Sequence, residues 1–107
     1  MIGRSMAFPA KPQHGTQLAE LLYRVAESLR GAAGCELYVV TRDAAEPDRV
    51  YVFEVWDDEE SAQAALTAPA VDPSAPKPAD VLALLADEPF RVDLQVLGGV
   101  GLPPAQN

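Results

Sequence analysis

The chain has 107 residues, 49% of them hydrophobic and 22% charged, values that exclude a disordered chain and suit one domain burying roughly 65% of its unfolded surface. Sixteen acidic residues against eight basic ones give a net charge of −8. Arg4, Lys11, Arg24, Arg30, Arg42, Arg49, Lys77 and Arg91 form no stripe, so neither a nucleic acid nor an anionic membrane is expected as a partner. With Cys35 as the single cysteine, there is no intramolecular disulfide and no cysteine-built metal centre. Met1 to Phe8 is interrupted by Gly3, Arg4 and Ser5, and no window nears 18 apolar residues. The reading is therefore a cytoplasmic chain without a leader or membrane span.

Ile2 to Phe8 reads as a strand with Ile2, Met6 and Phe8 on one face and Gly3, Ser5 and Ala7 on the other, stopped by Pro9 and Pro12. From Gln13 to Arg30, Leu18, Leu21, Leu22, Val25 and Leu29 recur at offsets of three and four, the stripe of an amphipathic helix. Thr16 is the expected cap, and Gly31 and Gly34 mark the exit. Cys35 to Thr41 is a second strand, with Cys35, Leu37, Val39 and Thr41 opposite Glu36, Tyr38 and Val40. A turn at Asp43 to Asp48 leads into Val50 to Trp56, where Val52, Glu54 and Trp56 oppose Tyr51, Phe53 and Val55.

Large residues on both faces of that third strand call for cover on both sides of the sheet, and a partner subunit is the simplest source of the second layer. The acidic run Asp57 to Glu60 opens a helix reaching about Ala68, at the end where negative charge is favoured. Pro69, Pro73, Pro76 and Pro78 interrupt the chain, which resumes as a short helix, Ala79 to Ala86, and a last strand, Phe90 to Leu97. The expected fold class is α+β, a ferredoxin-like βαββαβ unit. The unit is expected to occupy residues 1–102, with 103–107 as a flexible tail.

The third strand carries the candidate chemistry. Trp56 is either a stacking wall for a planar ligand or core filler. Glu54, on the same face, is either a desolvated base or the partner of an arginine such as Arg42 or Arg91. Alternation places both beside one cavity if the pocket lies between sheet and helices. Tyr38 either offers its hydroxyl to a substrate carbonyl or packs. Glu54 and Tyr38 are the candidate catalytic pair, and Trp56, Val52, Phe8 and Leu66 are the candidate substrate contacts. Cys35 reads as a small buried hydrophobe and His14 as a solvated loop residue. No histidine pair, phosphate loop or G-x-S-x-G elbow occurs, so metal, nucleotide and serine-hydrolase chemistry have no support.

The succession G-C-E-L-Y at Gly34 to Tyr38, E-V-W at Glu54 to Trp56, and a small-residue helix running into A-P-A-V at Ala68 to Val71 resembles the antibiotic biosynthesis monooxygenase family. The likeness extends from Ile2 to Leu102. It implies a homodimer forming an α+β barrel, and cofactor-free oxidation of electron-rich phenols or quinols by molecular oxygen in natural-product metabolism. The substrate would be a hydrophobic aromatic small molecule of polyketide type, deprotonated in an apolar pocket.

Trp56 matches the family tryptophan. Actinorhodin-type members carry asparagine and tyrosine where this chain has Val52 and Ala62. Enteric-type quinol monooxygenases carry histidines at the positions of Ser61, Ala65 and Ala70. Haem-degrading relatives need a tryptophan and an axial histidine where Ala65 and Ala75 stand, so haem, flavin and metal are not expected. A cofactor-free cyclase or isomerase, or a non-catalytic ligand-binding module, stays open as an alternative.

Overall fold

The structure, a computed structural model, describes residues 1–68 and 74–103. Pro69, Ala70, Val71 and Pro73, and the expected tail from 104 to 107, lie outside the described residues. The elements in chain order are β1 (Ile2–Pro9), α1 (Gly15–Ser28), β2 (Cys35–Arg42), β3 (Arg49–Trp56), α2 (Glu59–Thr67), α3 (Pro78–Leu82) and β4 (Phe90–Gln95). The strands form one four-stranded sheet in the order β2-β3-β1-β4, and every neighbouring pair is antiparallel. This is the ferredoxin-like α+β arrangement the pattern predicts.

One sheet face is covered by helix. Leu18 and Leu22 of α1 are buried against Phe8, Val50 and Val52, with Ala10 and Leu85 completing the cluster. Each such leucine contributes on the order of 1.5–3 kcal/mol. A second cluster joins Leu29, Trp56 and Ala62, tying the end of α1 to β3 and α2. No helix of the described residues covers the opposite face, where Val39, Phe53, Val92 and Leu94 are each 39% exposed and Phe90 is 70% exposed.

Three local expectations are corrected. The first helix starts at Gly15, not Gln13, because Gln13 adopts a left-handed φ of 67°. The N-cap residue is His14, and the work of a cap falls to Asp48. Its carboxylate accepts the Gly15 N–H at 3.0 Å and the Gln13 N–H at 3.1 Å. Thr16 instead accepts a hydrogen bond from Arg42 at 2.8 Å.

Cys35 does not share a face with Leu37. A register shift between them sets Cys35 opposite Trp56 and Leu37 opposite Val55, so the extra residue turns Cys35 toward the Trp56 cluster. The last helical segment is also shorter than expected, Pro78–Leu82. The chain then turns to form an isolated bridge between Leu85 and Ala10.

Candidate functional site

The site grows from strand register. Arg4 of β1 stands directly opposite Glu54 of β3, and Tyr38 of β2 opposes Glu54 from the other side. All three belong to the face carrying the helices. Arg4 is 4% and Glu54 2% exposed, so a charge pair is enclosed by protein.

Arg4 Nη1 donates to Glu54 Oε1 at 3.3 Å, and the indole N–H of Trp56 donates to the same oxygen at 2.9 Å. Trp56 itself is fully buried. The arginine partner expected for Glu54 is thus corrected: Arg4 holds it, while Arg42 reaches Thr16 and Arg91 pairs with Asp93 at 2.7 Å.

The far side of Arg4 faces α2. Its Nη2 lies 2.6 Å from Glu59 Oε1, although the Glu59 side chain is 64% exposed. Glu59 is placed by the start of the helix, where Asp58 accepts the Ser61 N–H at 2.7 Å and caps the first turn. Arg4 Nε is buried without a partner, a loss on the order of 1–3 kcal/mol for an enclosed donor. Sequence reading passed over both Arg4 and Glu59. Arg4 could have been found as the one basic residue in phase with Ile2, Met6 and Phe8.

Gly34 sets the approach of α2 to the sheet. Its φ is +81°, and a Cβ there would lie 2.5 Å from the Ser61 side chain. Its carbonyl also accepts the Asp57 N–H at 2.8 Å. Glycine is required on both counts.

A groove of about 510 Å³ runs between α1 and β2, with Tyr23, Leu29, Arg30, Cys35, Tyr38 and Val40 among its walls. This volume falls within the range of small-molecule pockets. Burial, with the Glu54 charge in support, pushes the Tyr38 phenol well above its usual range. It therefore stays protonated and can act as a hydrogen-bond donor. The same two causes raise the Cys35 thiol, which keeps it from the thiolate form that reacts.

Of the candidate residues, Tyr38, Glu54 and Trp56 are brought together. Tyr38 lines the groove, and Glu54 and Trp56 lie sealed behind it. Phe8 and Val52 pack in the larger core cluster, and Leu66 sits on α2, 49% exposed. His14 lies within 2.9 Å of the Pro12 carbonyl in its turn. Among the described residues, no three His, Cys, Asp or Glu side chains converge as a metal site. No helix of those residues is long and apolar enough to cross a membrane.

These features define a small ferredoxin-like protein with a grooved, helix-covered sheet face and a buried charge pair beneath it. The family model for antibiotic biosynthesis monooxygenases matches residues 1–72, more than half of the chain, and the chain belongs to that family. It is similar to a Chloroflexus aurantiacus J-10-fl protein bearing the same family name. The two are 32% identical over 95% of this chain and 98% of that one, with a TM-score of 0.75.

Structures under the same name from Deinococcus radiodurans and Nitrosomonas europaea share its fold. The first is 24% identical over 97% of this chain and 100% of that one, with a TM-score of 0.73. The second is 16% identical over 92% and 100%, with a TM-score of 0.78. No curated protein matches the chain.

Proposed function

We propose that this protein is a cofactor-independent monooxygenase acting on an aromatic quinol or phenol of polyketide type, as a cytoplasmic homodimer. The observation that carries the reading is the groove between α1 and β2, with a protonated Tyr38 in its wall and buried Glu54 directly behind. A planar substrate would lie along Leu29 and Val40 with its oxygen on the Tyr38 hydroxyl, which stabilises the charge that develops there as the substrate loses a proton. A bound ring that displaces water from the Tyr38 wall would strengthen that interaction.

For an anthrone-type methylene, the resulting carbanion gives one electron to oxygen, and the radical pair forms a C–O bond. The proton, given up to solvent water at the groove mouth, returns to the peroxide anion, and the hydroperoxide then loses water to leave a ketone. One oxygen molecule and one CH₂ become C=O and H₂O, so no external reductant is consumed. Family membership and the likeness to the Chloroflexus protein support the reaction class.

The test is oxygen uptake with an anthrone. Uptake with quinone formation by wild type, and its collapse in Tyr38→Phe, is the expected result. Aromatic binding without uptake would overturn it. Ser61 and Ala65, where histidines stand in quinol-oxidising relatives, favour a second reading as a cyclase or a ligand-binding module that shares the groove.

A further inference from the structure

A guanidinium has two carboxylate-binding edges, and one of them runs along Nε and Nη2, whose N–H bonds point in parallel. In Arg4 the other end, Nη1, is taken by Glu54. The Nε/Nη2 edge is only half used. Nη2 meets a single oxygen of Glu59 at 2.6 Å, while Nε is the one buried side-chain nitrogen or oxygen among the described residues with no partner.

Arg4 is 4% exposed, so this edge belongs to a built site rather than to a surface cation. Glu59, by contrast, is 64% exposed on its side chain and can leave toward solvent. Beside this edge lies a cavity of about 300 Å³, separate from the α1–β2 groove, lined by Arg4 and Glu59 with apolar surface from Ile2 and the β4 edge at Asp93 to Gln95.

We propose that this cavity is a second binding site, one that takes a small aromatic carboxylate. The ligand's two oxygens occupy Nε and Nη2 of Arg4 together, its ring lies on Ile2, which shares the face of Arg4, and Glu59 is the internal carboxylate it displaces. Charge supports an acid over a neutral ligand. Replacing the Glu59 carboxylate by another leaves the count around Arg4 unchanged, and the incoming group satisfies the donor that Glu59 leaves empty. Asp93, also on the wall, is neutralised by Arg91 at 2.7 Å and opposes the exchange only weakly. The geometry further asks for a planar, bidentate group, which an amide does not mimic because half of it is a donor.

The experiment uses benzoate and benzamide as probes on the full chain. Binding is followed by the fluorescence of the single tryptophan, since Trp56 shares the Glu54 oxygen with Arg4. Glu59→Ala removes the competitor, so benzoate should tighten by roughly tenfold, the factor expected when a group that fills a site about nine-tenths of the time is lost. Benzamide should not change. Arg4→Lys, which cannot form the fork, should abolish the gain. Tyr38→Phe should leave benzoate binding intact.

Three results overturn the proposal: no tightening in Glu59→Ala, an equal gain for benzamide, or binding that disappears with the Tyr38 hydroxyl. If Arg4→Lys fails to fold, the benzoate and benzamide titrations of Glu59→Ala still decide it.

Discussion

Trp56 and Glu54 sit two residues apart on β3, and the indole N–H of one donates to the carboxylate of the other at 2.9 Å. Because that oxygen also receives Arg4 at 3.3 Å, the tryptophan ring, the charge pair and the first turn of α2 form one connected unit. The unit orients Trp56 and leaves Tyr38, not Glu54, as the group presented to the groove. Its energetics follow from enclosure: two buried charges give little net stability as a pair, yet removing either one alone is costly.

Glu54→Gln therefore strips Arg4 of its buried partner while keeping an acceptor for the indole. The expected loss is about 3 kcal/mol, read from urea denaturation. Adding Arg4→Met should recover most of it, because the uncompensated charge is gone. A Glu54→Gln protein as stable as wild type would show that Glu59 alone suffices for Arg4.

Trp56→Phe removes the indole N–H and shrinks a ring with no solvent exposure. A loss of about 1–3 kcal/mol is expected from the vacated space and the lost hydrogen bond together. Ligand affinity in the α1–β2 groove should barely change, since the ring does not line it. Thermal melting and an aromatic titration on the same sample separate the two effects.

Tyr38→Phe should behave in the opposite way. Deleting one hydroxyl at the groove wall should leave the fold near its original stability, while oxygen uptake falls on the order of 10²-fold or more. Equal uptake in the two proteins would remove Tyr38 from the chemistry.

Element order, the stripe on α1 and the two faces of β3 were legible because they depend on local periodicity. What escaped depends on register or on distant residues. Alternation placed Arg4 in phase with Met6 and Phe8, but only the β1–β3 register shows that it meets Glu54. The cap of α1 comes from Asp48, more than thirty residues away, so Thr16 was the natural but wrong choice. Strict alternation also put Cys35 with Leu37, and a single bulge reverses that assignment. Tyr38, Glu54 and Trp56 were found together because cross-strand neighbours on one face happen to carry the polar groups.

Two half-buried carboxylates have opposite pH signatures. The Arg30 hydrogen bond holds Glu27 down at about 2, from an ordinary value of 4.5. Its contribution is present above that ordinary value and fades as pH falls toward 2. Glu36 is raised from 4.5, first by its hydrogen bond with the Asp57 side chain and then by burial and the Asp57 charge. Its contribution is complete below 4.5 and is lost as pH rises through the elevated value. Glu36→Gln keeps the hydrogen-bonded form at every pH, so it should stabilise the chain at pH 7 and leave it unchanged near pH 3. Denaturation midpoints at those two pH values check the sign.

The uncovered sheet face carries the remaining prediction. Val39, Phe53, Val92 and Leu94 are 39% exposed and Phe90 is 70% exposed, all on the side away from the helices. Contiguous apolar surface of this kind marks an interaction site. A second copy offers the same strip, and two such faces meeting through a two-fold axis can bury the roughly 1,600 Å² typical of a stable interface.

Phe53 lies on the middle strand pair of the strip, so Phe53→Lys would place two ammonium groups near the axis and desolvate both. Light scattering at micromolar concentration should return a dimer for wild type and a monomer for Phe53→Lys, with the helical content of the two alike. Arg42→Ala, on the helix-covered face, should stay dimeric and serves as the control. A monomeric wild type, or a Phe53→Lys protein that remains dimeric, would remove the sheet face as the point of assembly.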